Sequence, residues 1–596
     1  LIVMTMPLDL AAQTPAAPSL EPIRYTLRFP APQTHYLEVE ATVPTEGRPT
    51  VDLLMAVWTP GSYLVREYSR HVESVRAEVG GRPAPVAKTA KNRWRVETGG
   101  ASVITLRYRV YAREMTVRTN WVDRDFALIN GAPTFITLVE EVRRPHDVRL
   151  ELPPEWQSTA TGLPEVPGSS HHYRAADYDT LVDSPVVAGN LSVHAFTAAG
   201  RPHLLVNVGD ASLWDGPRAA ADVKRLVETH AAFWGGLPYE KYVLLNLITE
   251  ASGGLEHRNS AVLMTSRWKM RTRRGYVDWL SLVSHELFHA WNVKRLRPVE
   301  LGPFDYEAEN YTRSLWVAEG FTSYYGDLLA VRAGVITQDE YLGELGGMIR
   351  ELQSTPGRLV QSVEEASYDA WIRYYRQDEN TPNTTISYYT KGAVIAFLLD
   401  AGIRRATGGA CSLDTVLRLA HERFGDQRGF TSAEIRALVS EVAGPGLDGW
   451  LHRALDTTEE LDYDVIGWLG LRLRPEPDRQ KAWLGLTLAS GRATLKNEGG
   501  RLIVAQVRRG TPAFEAGVNA GDEILALGGY RVRPEQWEER LETFNPGDET
   551  TMLVARRDRL LTLEVAVGSE PPGIGRLEAD PGAPAAQARL AAWLSP

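Results

Sequence analysis

The first chemistry the chain offers lies in "VSHELFHAW", residues 283–291, where two histidines stand four positions apart with a glutamate beside the first. On a helix such positions share a face, so His285 and His289 can direct their imidazoles at one ion while Glu286 projects from nearly the same side. Their neighbours Trp279, Leu282, Val283, Leu287 and Phe288 mark a buried helix, in which two histidines and a glutamate without partners would be costly. The plain alternative is an amphipathic helix whose histidines make ordinary hydrogen bonds. A catalytic zinc takes three protein ligands and keeps a fourth position for water, so the pattern needs a further donor. "LWVAEGFTSYYGDLL" supplies Glu319 inside a second apolar helical segment, reached through the loop "RPVELGPFDYEAENYT". Two imidazoles and a carboxylate at an open tetrahedral site suit zinc, one ion per chain.

The elements that must position these residues follow from hydrophobic period. Residues 20–195 read as strands: in "HYLEVEATVP" Leu37, Val39, Ala41 and Val43 alternate with polar neighbours, and "VITLRYRVYA" repeats the pattern. A β-sandwich is the simplest solution. From 196 to 470 a helical stretch precedes the strand "YVLLNLITE", and long helical patterns then dominate. Strands return over 471–570, and 571–596, rich in Pro, Gly and Ala, is expected to be a mobile tail. The fold class is thus multidomain α+β.

Composition narrows the function classes. With 43% hydrophobic and 23% charged residues the chain is an ordinary globular one, and its net charge of −10 with no basic block argues against nucleic acid as a partner. The longest apolar run, "GAVIAFLLDAGI", is too short to span a bilayer and reads as a buried helix. A single cysteine, Cys411, rules out an intrachain disulfide. The Ala/Pro-rich start is compatible with the mature start of an exported protein, but no basic-then-apolar signal precedes it, so the compartment stays open.

"HELFH" followed by "WVAEGFTSYY" resembles the gluzincin metallopeptidases, the group that includes the aminopeptidase N family. With "WTPGSYLVREYSRHV", "SGGLEH", "YYTKGA" and "LHRALDTTEELDYDVIGWLGL", the chain is most similar to the glycyl aminopeptidase family over about residues 20–570. That resemblance implies an N-terminal β-domain, a thermolysin-like, mainly helical catalytic domain and a C-terminal PDZ domain. It implies a zinc aminopeptidase acting on peptides with a free N-terminus and a small first residue, glycine or alanine. Glu286 would be the general base and Tyr389 the donor that stabilises the transition state, with Tyr388 its nearest competitor. Glu256, after Gly253 and Gly254, is the candidate anchor for the substrate ammonium; the related motif continues with Asn where this chain has His257. "WLGLTL", with Leu484, Gly485 and Leu486, resembles a PDZ carboxylate-binding loop, so the domain either captures a C-terminal peptide or merely packs against the catalytic unit. A zinc endopeptidase and a non-catalytic peptide-binding scaffold are the competing readings.

Overall fold

The computed structural model describes residues 20–140, 143–426, 428–475, 481–489, 500–571, 573–580, 582 and 584–595. The chain forms two compact bodies. The first comprises most of the first 191 residues and is β-rich, with one seven-stranded sheet and two four-stranded sheets. The alternation read in "HYLEVEATVP" and "VITLRYRVYA" is realised: strands Tyr36–Pro44 and Val103–Tyr111 pair antiparallel, and both bury every second residue. Tyr25 shows how the core is tied, its ring 4.8 Å from that of Phe135 and its hydroxyl donating to the Ile136 carbonyl.

The second body contains the rest of the chain together with two short segments from the N-terminal part, 58–66 and 116–118. It opens with a five-stranded sheet in the order Ser192–Ala198, Arg201–Gly209, Tyr242–Ile248, Ser260–Thr265, Gly253–Glu256. Strands Tyr242–Ile248 and Ser260–Thr265 are parallel and buried throughout, whereas the last, β1 (Gly253–Glu256), is an edge strand that among the described residues pairs with Ser260–Thr265 alone. An edge strand leaves main-chain donors and acceptors free for an extended peptide.

Helices pack around this sheet. Helix α1 (Gly216–Trp234) lies beside α2 (Arg273–Phe288), which Thr272 caps by accepting from the Gly275 N–H. His230 of α1 is fully buried and bonds through Nε2 to the Ser284 hydroxyl at 2.9 Å. The segment Trp316–Phe321 forms a π-helical turn that runs into α3 (Thr322–Arg332); such wide turns often occur at functional sites. Helices α4 (Gln338–Ser354) and α5 (Tyr388–Ala406) follow, and the apolar run 392–403 is indeed a buried stretch of α5. Gly320 of the π turn and Gly392 of α5 lie backbone to backbone, a crossing that a side chain at either position would prevent.

Toward the C-terminus, strands Leu486–Leu488, Leu502–Val507, Glu523–Leu527, Glu549–Arg556 and Arg559–Ala566 form the main path of a six-stranded sheet. They enclose a separate core that includes Leu484, Val504, Ala513, Ile524, Met552 and Val554.

For the described residues of 571–596 the expectation of a mobile tail is corrected. Arg576–Ala579 pairs antiparallel with Leu471–Arg474, and α6 (Pro584–Leu594) docks on the catalytic helices. Trp593 is fully buried; its indole donates to the Tyr324 hydroxyl at 2.9 Å and to Asp400 at 3.1 Å, and Arg332 donates to its carbonyl. Alanine-rich composition here means helix propensity, with Leu590 and Trp593 three apart on the face that docks.

Two outcomes follow. Trp593→Ala should destabilise this body by about 3–5 kcal/mol, seen as an earlier urea transition; an unmoved transition would contradict the docking. Burial lowers the pKa of His230 from 6.5 to about 3. The unfolded chain therefore takes up this proton first, and the stability His230 confers is intact above pH 6.5 and lost progressively as pH falls toward 3. His230→Gln should flatten that part of the stability–pH curve in pH-dependent urea unfolding.

Candidate metal and peptide site

α2 and the π turn bring the three sequence-predicted ligands together. The Nε2 atoms of His285 and His289 are 3.1 Å apart, and Glu319 Oε2 lies 3.7 Å and 3.1 Å from them. Four ligands held tetrahedrally at zinc distances stand about 3.4 Å apart, so this spacing fits a zinc ion. The donor types fit as well, and Glu319 Oε1 is buried without a hydrogen bond. His289 Nδ1 faces the Asn292 carbonyl at 2.8 Å, which makes Nδ1 the protonated nitrogen and leaves the Nε2 lone pair for a metal. Asn292 also donates to the carbonyls of Val317 and Ala318 and to the Thr322 hydroxyl, joining the end of α2 to the turn that carries Glu319.

Around the trio lies a cleft of about 390 Å³. From β1 it takes Gly254 and Glu256; Gly253 and His257 are not among its lining residues. His257 is buried at the turn after β1, where its N–H donates to the Ser260 carbonyl. Glu286 is 4% exposed, and its carboxyl lies against Gly254 so closely that a Cβ there would overlap it. Burial raises the Glu286 carboxyl well above the usual range; Glu256 and Glu319 push the same way and His289 opposes them.

Glu256 ends β1 with its carboxylate buried in the same cleft. Gly61, at φ 86°, covers it: a Cβ at that position would come within 2.5 Å of Oε1. Lys294 Nζ lies 4.0 Å from the same oxygen. Lys294 follows Val293, a β-branched residue at φ 101°, a conformation rare for such a side chain. Arg118 supplies a guanidinium to the cleft wall.

The structure separates the two adjacent tyrosines. Tyr389 lines the cleft with its ring 6.4 Å from that of His285, whereas Tyr388 is fully buried and is not on the cleft wall. Burial, then Glu319 and the neighbouring tyrosines, raise the Tyr389 phenol, which keeps it a proton donor.

Sequence reasoning did not single out Gly61, Arg118, Asn292 or Lys294. The first lies in "WTPGSYLVREYSRHV", a stretch that carried the resemblance but suggested no role.

The arrangement is that of a zinc metallo-aminopeptidase, a hydrolase, and the comparisons agree. Family models match residues 24–190 as a Peptidase M61 N-terminal domain, 278–395 as M61 glycyl aminopeptidase and 467–567 as a PDZ domain. A solved structure of an aminopeptidase N family protein from Idiomarina loihiensis is 30% identical, covering 96% of this chain and 100% of that one with a TM-score of 0.88. The chain belongs to the glycyl aminopeptidase family of zinc metallopeptidases, related to the aminopeptidase N family. An M1 zinc metallopeptidase from Deinococcus radiodurans is more distant, 14% identical over 74% of this chain and 95% of its own, with a TM-score of 0.47. A probable periplasmic serine endoprotease, DegP-like, from Brucella suis is 28% identical over 111 residues, 18% of this chain and only 20% of that relative's length.

Gly254→Ala tests the packing at Glu286. The variant is expected to retain zinc by metal analysis while turnover falls by about 10²-fold or more, because the new methyl group must displace that carboxyl.

Proposed function

We propose that the protein removes an N-terminal glycine or alanine from peptides, with one zinc held by His285, His289 and Glu319. The observation that carries this reading is the buried Glu256 carboxylate at the end of an edge strand, in the same cleft as the metal trio. A free ammonium is the substrate group that such a carboxylate would hold. Gly61 covering that carboxylate supports a closed end with room for a small first side chain.

When bound, zinc would supply a Lewis acid that lowers the pKa of a water and polarises the scissile carbonyl. Glu286 takes the proton from the attacking water and delivers it to the departing amine. The Tyr389 phenol donates a hydrogen bond to the oxygen on which negative charge develops. β1 aligns the peptide main chain through its free edge, and Glu256 sets the register by pairing with the N-terminal ammonium. His289 is held in its metal-binding tautomer by Asn292. We further propose that the catalytic unit spans 196–470 between a 20–195 β-domain and a 471–570 PDZ domain. In the last, Leu484, Gly485 and Leu486 would receive a peptide C-terminus beside the Leu486–Leu488 edge strand.

Glu286→Gln should keep zinc and lower kcat by about 10²–10⁴-fold; near-normal activity would refute the base assignment. A panel of free and N-acetylated dipeptides separates the rival readings. Cleavage restricted to free amines is expected, and Glu256→Ala should raise KM on them while zinc content holds. Hydrolysis of acetylated peptides would point to an endopeptidase, and zinc binding without any hydrolysis to a scaffold.

A further inference from the structure

The cleft continues well past the metal trio, along α2 and α3. These helices run antiparallel: Glu319 meets His289, and Gly326 lies over the His285 backbone. Glu256 belongs to the His289 end, since its carboxylate, that of Glu286 and the His289 ring have ligand atoms within 4.8 Å of one another. The opposite end is built from Ser281 and Leu282 on α2, Ser323 and Asp327 on α3, and Met348 on α4, all on the cleft wall. Ser281 lies two helical turns, about 12 Å, before His289. Ser323 and Asp327 follow Glu319 at steps of four, the spacing of one helix face. A peptide with its amine at Glu256 and its first carbonyl at the trio must therefore continue toward Asp327.

Asp327 is only 7% exposed, yet no lysine, arginine or histidine among the described residues forms an ion pair with it. The neighbouring cations are already committed: Lys269 pairs with Asp278, and Arg274 with both Asp278 and Glu344. Burial raises the Asp327 carboxyl from 3.8 to about 6; the nearby Ser281 hydroxyl and the charge of Arg274 oppose that rise, while Glu344 and Asp278 add to it. A buried carboxylate on a cleft wall without a cation is costly unless a ligand brings one.

We propose that Asp327, flanked by the Ser281 and Ser323 hydroxyls, is a cation subsite for the residue that follows the scissile bond, so that the preferred substrates carry Lys or Arg in second position. This rests on the reading that the substrate ammonium sits at Glu256. The Cα of the second residue stands about 2.4 Å from the scissile carbonyl carbon, and a long basic side chain covers the remaining distance. Its aliphatic stem would pass Leu282 and Met348 while the charged head reaches the carboxylate.

The test uses the zinc-loaded full chain and four substrates: Gly-Lys, Gly-norleucine and Gly-Glu tripeptide amides, and glycine p-nitroanilide, whose leaving group carries no cation. Norleucine keeps the lysine stem and removes its charge. We expect kcat/KM for the lysine peptide to exceed that for norleucine by about tenfold and that for glutamate by more. Asp327→Asn should bring the lysine-to-norleucine ratio to near one. Wild-type enzyme that treats lysine and norleucine alike would overturn the subsite, as would a preference that survives Asp327→Asn. Turnover of glycine p-nitroanilide by the variant reports that it is folded, and the wild-type ratio decides without the variant. Failure of wild-type enzyme to cleave glycine p-nitroanilide would remove the aminopeptidase reading itself, and the subsite with it.

Discussion

Asn292 closes the turn after α2, fixes the His289 ring through its carbonyl and reaches the main chain of the Glu319 turn with its side-chain amide. Two helices from separate parts of the chain thereby hold their ligand atoms at metal-coordinating distance. Neither helix could do this alone, because a carboxylate displaced by an ångström no longer completes a tetrahedron. The crossing of Gly320 and Gly392 extends the same framework, placing the helix of Tyr389 against the turn of Glu319. The chemistry of the cleft therefore depends on a hydrogen-bonded joint whose central residue need not touch substrate.

Charge is the second constraint. Glu256, Glu286 and Glu319 are each buried and line one cleft, an arrangement that raises the cost of ionising all three. The protein answers with His285 and His289, with Lys294 at 4.0 Å from Glu256 and with Arg118 on the wall. A bound zinc and a substrate ammonium would complete that balance.

Much of this was legible along the chain because its physical signals are local. Spacing of four on a helix put His285 and His289 on one face, and period-two alternation identified the strands at 36–44 and 103–111. The tail shows where local reasoning misleads. Proline, glycine and alanine were read as disorder, yet alanine favours helix once an apolar face has somewhere to dock. What receives Trp593 is a pocket formed by Tyr324, Asp400 and Arg332, residues remote in sequence.

The sequence by itself pointed to the histidine ligands and Glu286 through their spacing on one helix, and to the class of reaction and the order of the domains through motifs that resemble a known family. Only the tertiary structure decided which tyrosine faces the cleft, that Gly61 covers Glu256, that Asn292 locks His289 and that Asp327 lies buried on the far wall. Each of these is a meeting of segments far apart in the chain. A meeting of that kind is set by packing of the whole body and leaves no periodic trace in either segment.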